Sequence, residues 1–247
     1  IYVRDHWRQL TACPWWYRFS PDIAQQVAWR RDAIAATGQD WLHLPRVWPR
    51  ARRRHLRIEE RAGGVYRVDT RSGDGERLTE PATSGWTAFG GVESVHHDRL
   101  AATPAEIDGL VGDPERVRSL LETGEADLAV ELRRQFPGLY GLHHVASPLW
   151  RLYHLWGFDG MMQMLGERPD LARHAAQRYL QLTLADVRQA QQLGADGVWI
   201  EECLTDMISP AMFAEINVPL VADVCAAIRA AGMHAVYYYC GNPNDRL

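Results

Sequence analysis

No CxxC pair occurs, and the 247 residues hold only four cysteines, Cys13, Cys203, Cys225 and Cys240, all far apart. That spacing excludes a zinc ribbon and offers no disulfide framework. The start, Ile1-Tyr2-Val3-Arg4-Asp5, also lacks a charged-then-apolar leader, so a reducing, cytoplasmic setting is expected. No apolar run approaches the roughly 18 residues that cross a bilayer, which argues against a membrane role. A basic field is missing as well: the formal net charge of -4 leaves nothing global to hold nucleic acid. Internal repeats and low-complexity stretches are absent. The first residue is not Met, and the last residues, Asn242-Pro243-Asn244-Asp245-Arg246-Leu247, follow a strand pattern where another helix should begin. The expectation is a segment of a longer chain.

Composition, 47% hydrophobic and 23% charged, supplies enough apolar surface for one large core or two small ones and excludes a disordered chain. The densest charge is local. Arg46, Arg50, Arg52, Arg53, Arg54 and Arg57 surround Trp48 and His55, a run able to bind phosphates or carboxylates. Glu59 and Glu60 follow at once, and the favoured reading is a solvated loop leading into a hairpin.

Punctuation divides the rest. Ser20-Pro21 and Gly38 bound a helix over 21–38, and a short strand, Trp41 to Leu44, follows. Leu56–Glu60, Val65–Asp69 and Glu76–Thr79 alternate in polarity around Gly63-Gly64 and Ser72-Gly73-Asp74-Gly75, the pattern of a hairpin or meander. Thr103-Pro104-Ala105-Glu106 and Asp113-Pro114-Glu115 each open a helix, and 125–135 is helical again. Later, a strand over 138–145, helices over 156–165 and from Arg168 to Gly194, a strand at 197–200, a helix from Ser209-Pro210 to Gly232 and a strand at 234–239 alternate. Strands alternating with long helices predict parallel βαβ units, in an α/β barrel or a doubly wound sheet. About four strands suit a barrel wall, fewer than the eight of a closed one.

Active sites of parallel α/β folds lie at the strand carboxyl ends. Three places qualify: His143-His144; Glu201-Glu202-Cys203 with Asp206; and Tyr238-Tyr239-Cys240-Gly241-Asn242. Successive strand side chains alternate, so only one of Glu201 and Glu202, and at most one of His143 and His144, faces the site. A strand-end carboxylate serves as acid, base or hard metal ligand, or else as a buried acid satisfied by its neighbours. Cys240 is placed for a thiolate role, or for that of a small buried hydrophobe. Of the run Tyr237-Tyr238-Tyr239, one phenol is expected to turn inward.

One succession of motifs is more specific than any of its parts. Ser147-Pro148, Gly157-Phe158-Asp159, Arg168-Pro169-Asp170, Gly194-Ala195-Asp196-Gly197, Glu202, Ile208-Ser209-Pro210, Phe213, Pro219 and Cys240-Gly241-Asn242 fall in an order that resembles the uroporphyrinogen decarboxylase superfamily, which also contains corrinoid-linked methyltransferases. The resemblance implies a (β/α)8 TIM-type barrel. It would be a single domain over 1–247, incomplete at the C-terminus, with a β-hairpin insertion near residues 56–80. It also implies two chemistries. Decarboxylases of the family bind an acidic tetrapyrrole through an Arg-Gln-Ala-Gly-Arg motif and need no cofactor; here Trp7-Arg8-Gln9-Leu10-Thr11-Ala12 departs from that pattern, leaving Arg4, Arg8 or Arg18 to hold substrate carboxylates. The methyltransferases carry zinc on His-x-Cys and a distant cysteine; Cys240 matches the first cysteine, with Tyr238 in the histidine's place.

The leading expectation is therefore corrinoid-linked methyl transfer to a thiol or similar acceptor at a metal-activated site. Glu202, Glu201 and His144 are its catalytic candidates, Tyr238, Asn242, His143 and Asp206 its substrate contacts, and Cys240 with Glu202 its metal ligands. Zinc and a corrinoid donor are the expected cofactors, and a small molecule or a corrinoid protein the expected partner. The alternatives are uroporphyrinogen decarboxylation and a non-catalytic corrinoid- or protein-binding barrel.

Overall fold

A computed structural model describes residues 3, 6–80, 100–114, 119–203 and 205–241. Contacts divide the chain into two compact units. The first comprises Ile1–Val92, Arg118–Tyr140 and Gln192–Gly194; the second comprises Glu93–Val117, Gly141–Gln191 and Ala195–Leu247.

The first unit follows the punctuation closely. The helix Ile23–Thr37 is capped by Asp22, whose carboxylate accepts from the Ala24 amide at 2.7 Å, and it stops at Gly38 in the left-handed region. The strand β1, Trp41–His43, comes next. β2 (Leu56–Arg61), β3 (Gly64–Asp69) and β4 (Gly75–Leu78) form an antiparallel meander, with Leu56 opposite Asp69 and Val65 opposite Leu78.

The basic run is held internally. Arg46 Nε lies 2.6 Å from the carboxylate of the buried Glu125, and Asp127 accepts from both Arg50 and Arg53. Trp48 lies between the guanidinium groups of Arg52 and Arg67, at 4.7 and 4.3 Å from its ring centre. Arg57 pairs with Glu59. Arg50, Arg52, Arg54 and Arg57 stay exposed, as expected of a solvated run, and the acids Glu125 and Asp127, far along the chain, join Glu59 as its partners.

The second unit holds the parallel sheet. β5 (Tyr140–Ala146), β6 (Gly197–Glu202) and β7 (His234–Tyr239) run side by side, with Leu142 beside Gly197 and Gly197 beside His234. At the amino ends of these strands Asp196 joins all three. Its carboxylate accepts from the Gly141 amide at 2.7 Å, its amide donates to the Gly141 carbonyl at 2.8 Å, and its carbonyl accepts from the His234 amide at 2.9 Å. The Gly-Ala-Asp-Gly motif is thus a structural clasp, at the end of the sheet away from the candidate chemistry.

The helices Pro148–Glu167, Pro169–Gln192 and Val218–Ala230 connect the strands and cover one sheet face, where Val145, Val198 and Ile200 pack against Leu149, Ala176 and Val224. Alanines in the second helix, including Ala172, Ala175 and Ala176, are fully buried and allow close approach. Burial of Val198 and Ile200, each worth about 1.5–3 kcal/mol, fixes which side of β6 meets the helices, because a one-residue slip would exchange the two faces.

One helix boundary differs from the sequence reading. The first of these helices begins at Pro148, well before residue 156, with Ser147 as its cap. Its interior breaks at Gly157, at φ 69°, a backbone value that suits glycine and that makes the sequence there look like a start. Pro210–Ala230 is long and apolar enough by composition to cross a membrane, contrary to the reading of the sequence, but its Leu220, Val224 and Ile228 are buried in the core of this unit. The expected Asp113-Pro114-Glu115 helix start falls partly outside the described residues.

Ser147 is fully buried, and its hydroxyl accepts from the Trp150 amide at 2.9 Å. Replacing it with alanine is expected to destabilise the protein by about 1 kcal/mol, the usual cost of a lost cap, read as a lower urea midpoint.

Candidate active site

The parity of β6 sorts its carboxyl end. Val198, Ile200 and Glu202 point into the helix layer, and Trp199 and Glu201 point to the other face. Register carries the same division to the neighbouring strands: His144 lies beside Trp199, and Glu201 lies beside Tyr238. His144, Trp199, Glu201 and Tyr238 therefore share one face, which the helices do not cover, and the side chains of His144 and Glu201 are 43% and 30% exposed.

On that open face the groups touch. His144 Nε2 is 2.9 Å from the Glu201 carboxylate, and the Cys203 thiol donates to Glu201 Oε1 at 3.9 Å. The Trp199 ring sits edge-on to His144, at 6.4 Å, and tilted against Tyr238, at 4.9 Å. Cys240 is exposed, and its amide donates to the Glu202 carbonyl at 2.9 Å. Its thiol interacts with the Cys203 thiol and the Tyr238 hydroxyl. Burial first, then the nearby Glu201 and Cys240, pushes the Cys203 thiol up to about 12. Proximity to Cys240, more than burial, raises the Tyr238 phenol above its ordinary value.

Glu202 occupies different surroundings. Its Oε2 accepts from the Asn217 amide group at 2.7 Å and from the Tyr237 hydroxyl at 3.5 Å, and Ser147 bonds it as well. Burial pushes its carboxyl up to about 7 against those three bonds, and the neighbouring Glu201 adds to the rise. Asn217 closes the π-helical turn Phe213–Asn217, whose widened backbone sits directly before the helix starting at Val218. Glu202 Oε1 and Asn217 Oδ1, both buried, have no hydrogen-bond partner among the described residues. Such a carboxyl is held most cheaply in its neutral form.

The remaining sequence candidates distribute as follows. His143 shares the parity of Val145, on the helix side, and His144 is the histidine that reaches the open face. Asp206 is exposed and accepts from the Tyr239 hydroxyl at 3.3 Å. A Cβ at Gly241 would meet the Asp206 carboxylate at 2.6 Å, so the glycine of Cys-Gly-Asn is the residue that leaves room for that acid. Asn242 and Arg4 lie outside the described residues. Trp199 and Asn217 complete the two clusters without having been singled out, and Cys203 and Tyr237, named only within their runs, join them. Cys203 was reachable from register, standing across from Cys240.

The proposed metal pair does not fit this arrangement. Glu202 and Cys240 point to opposite faces of the sheet, and among the described residues no group of three or more His, Cys, Asp or Glu is arranged to hold a metal ion.

Residues 141–247 match the family model described as uroporphyrinogen decarboxylase (URO-D), a span that takes in β6, β7 and every group of the two clusters. No curated protein matches the chain.

Proposed function

We infer that residues 141–247, which belong to the uroporphyrinogen decarboxylase superfamily, carry the active site of an enzyme that transfers a methyl group from a corrinoid-bound or similar small donor to a thiol or similar acceptor. One observation carries this reading. Two thiols, an imidazole and a carboxylate converge on the open face at the strand carboxyl ends, through the contacts of Cys203 and His144 with Glu201 and of Cys203 with Cys240.

Each group has work to do in such a transfer. A thiol becomes a competent nucleophile only as it loses its proton, and Glu201, paired with His144, is the base in reach of sulfur on this face. The acceptor sulfur gives its proton to Glu201 as its bond to the methyl carbon forms and the donor's bond breaks. His144 holds the carboxylate in position and shares the proton. Trp199 and Tyr238 supply aromatic surface beside the donor. A methylcorrinoid, when bound, supplies the electrophilic methyl carbon.

Porphyrinogen decarboxylation is less well served. None of the three strands contributes an arginine to receive substrate carboxylates, and Glu201 would repel them. The test is product analysis with the full chain. Incubation with methylcobalamin and a small thiol should yield the methyl thioether, and incubation with uroporphyrinogen should release no carbon dioxide. Release of carbon dioxide with no thioether would overturn the reading.

A further inference from the structure

We propose that Cys203 and Cys240 form a reactive thiol pair that a small-molecule disulfide closes into a reversible cystine across the open face. The two residues stand one step beyond the last register pair of the parallel ladder, Glu202 with Tyr239, so they lie directly opposite on neighbouring strands. Strands in a sheet are about 4.7–4.9 Å apart, and a disulfide spans Cα separations of about 4.4–6.8 Å. The backbone there is fixed by the Cys240 amide donating to the Glu202 carbonyl at 2.9 Å. The thiols face the same side of the sheet, one exposed and the other half-buried, an arrangement that suits an entering and a resolving sulfur.

The chemistry balances with a small disulfide as oxidant. The Cys240 sulfur attacks it, one S–S bond breaks, a mixed disulfide forms on Cys240, and one small thiol leaves with the proton that Cys240 gives up. The Cys203 sulfur then attacks the Cys240 sulfur, displacing the second small thiol. Two protein thiols are oxidised and one small disulfide is reduced. The second step needs a base for the Cys203 proton, and Glu201 Oε1 at 3.9 Å is placed to take it, with His144 2.9 Å behind. Closure would occupy both sulfurs of the face, so the same oxidant would silence chemistry there until a dithiol reopened the pair. This proposal is independent of the methyl-transfer reading, since its readout is covalent.

The full chain is treated with oxidised glutathione and mapped by mass spectrometry without reduction. The expected result is a Cys203–Cys240 cross-linked peptide, two thiols lost, no retained glutathione, and reversal by dithiothreitol. Cys203→Ser should stop at a glutathione adduct on Cys240. Glu201→Gln should slow closure about tenfold and let that adduct accumulate. A Cys13→Ser, Cys225→Ser double variant should cross-link like the wild type. A stable glutathione adduct on Cys240 in the wild type, a cross-link through Cys13 or Cys225, or four unreacted thiols would each overturn the proposal.

Discussion

Replacing Glu202 with glutamine is expected to change strongly how stability depends on pH. The folded protein holds the Glu202 proton up to about pH 7, against an ordinary 4.5, because the carboxyl is fully buried. Below about pH 4.5 both folded and unfolded chains are protonated, and the group's contribution is fully present. Between 4.5 and 7 the unfolded chain releases the proton first, so stability falls as pH rises. Above 7 both are ionised and the loss is complete. The interval corresponds to on the order of 3 kcal/mol. A glutamine keeps the shape and accepts from Asn217 but has no proton to lose. The variant should therefore match the wild type at pH 4.5 and exceed it by on the order of 3 kcal/mol at pH 8. Urea unfolding at the two values checks this; parallel pH profiles for the two proteins would contradict it.

The second large effect concerns the open face. His144→Ala and Glu201→Gln should each lower kcat/KM for methyl transfer by about 100-fold or more, the usual range for a positioned acid–base group. Thermal melting should hardly move, since both side chains are partly exposed. The double variant should be little worse than either single one, because the 2.9 Å contact makes the two groups one unit whose loss is not additive. Multiplying losses, about 10⁴-fold in the double variant, would show that the two act separately.

Much of this could be read from the chain, and what could not has identifiable causes. Caps at Thr103 and Ser209 are local chemistry, and each is observed with its side chain on a backbone amide. Strand alternation predicts that Glu201 and Glu202 separate, and they do. Which one meets the helices was not legible, because Gly197-Val198-Trp199-Ile200 is apolar on both parities, and the tryptophan hides the period. Only packing shows that Val198 and Ile200 are the buried pair, which carries Glu202 inward with them. The pairing of Glu202 with Asn217 depends on a π-helical turn that no residue pattern announces. The arginine run's distant partners were unreadable for a different reason: Glu125 and Asp127 lie more than seventy positions away.

The placement of chemistry on the open face, away from the buried acid, is the central claim, and the two adjacent glutamates test it most directly. Methyl-transfer kcat/KM is measured at pH 7 for Glu201→Gln and Glu202→Gln side by side, with folding checked by circular dichroism. The account predicts a loss of about 100-fold or more for Glu201→Gln and a change of only a few-fold for Glu202→Gln. A folded Glu202→Gln protein that is inactive, beside a Glu201→Gln protein that is unimpaired, would contradict it.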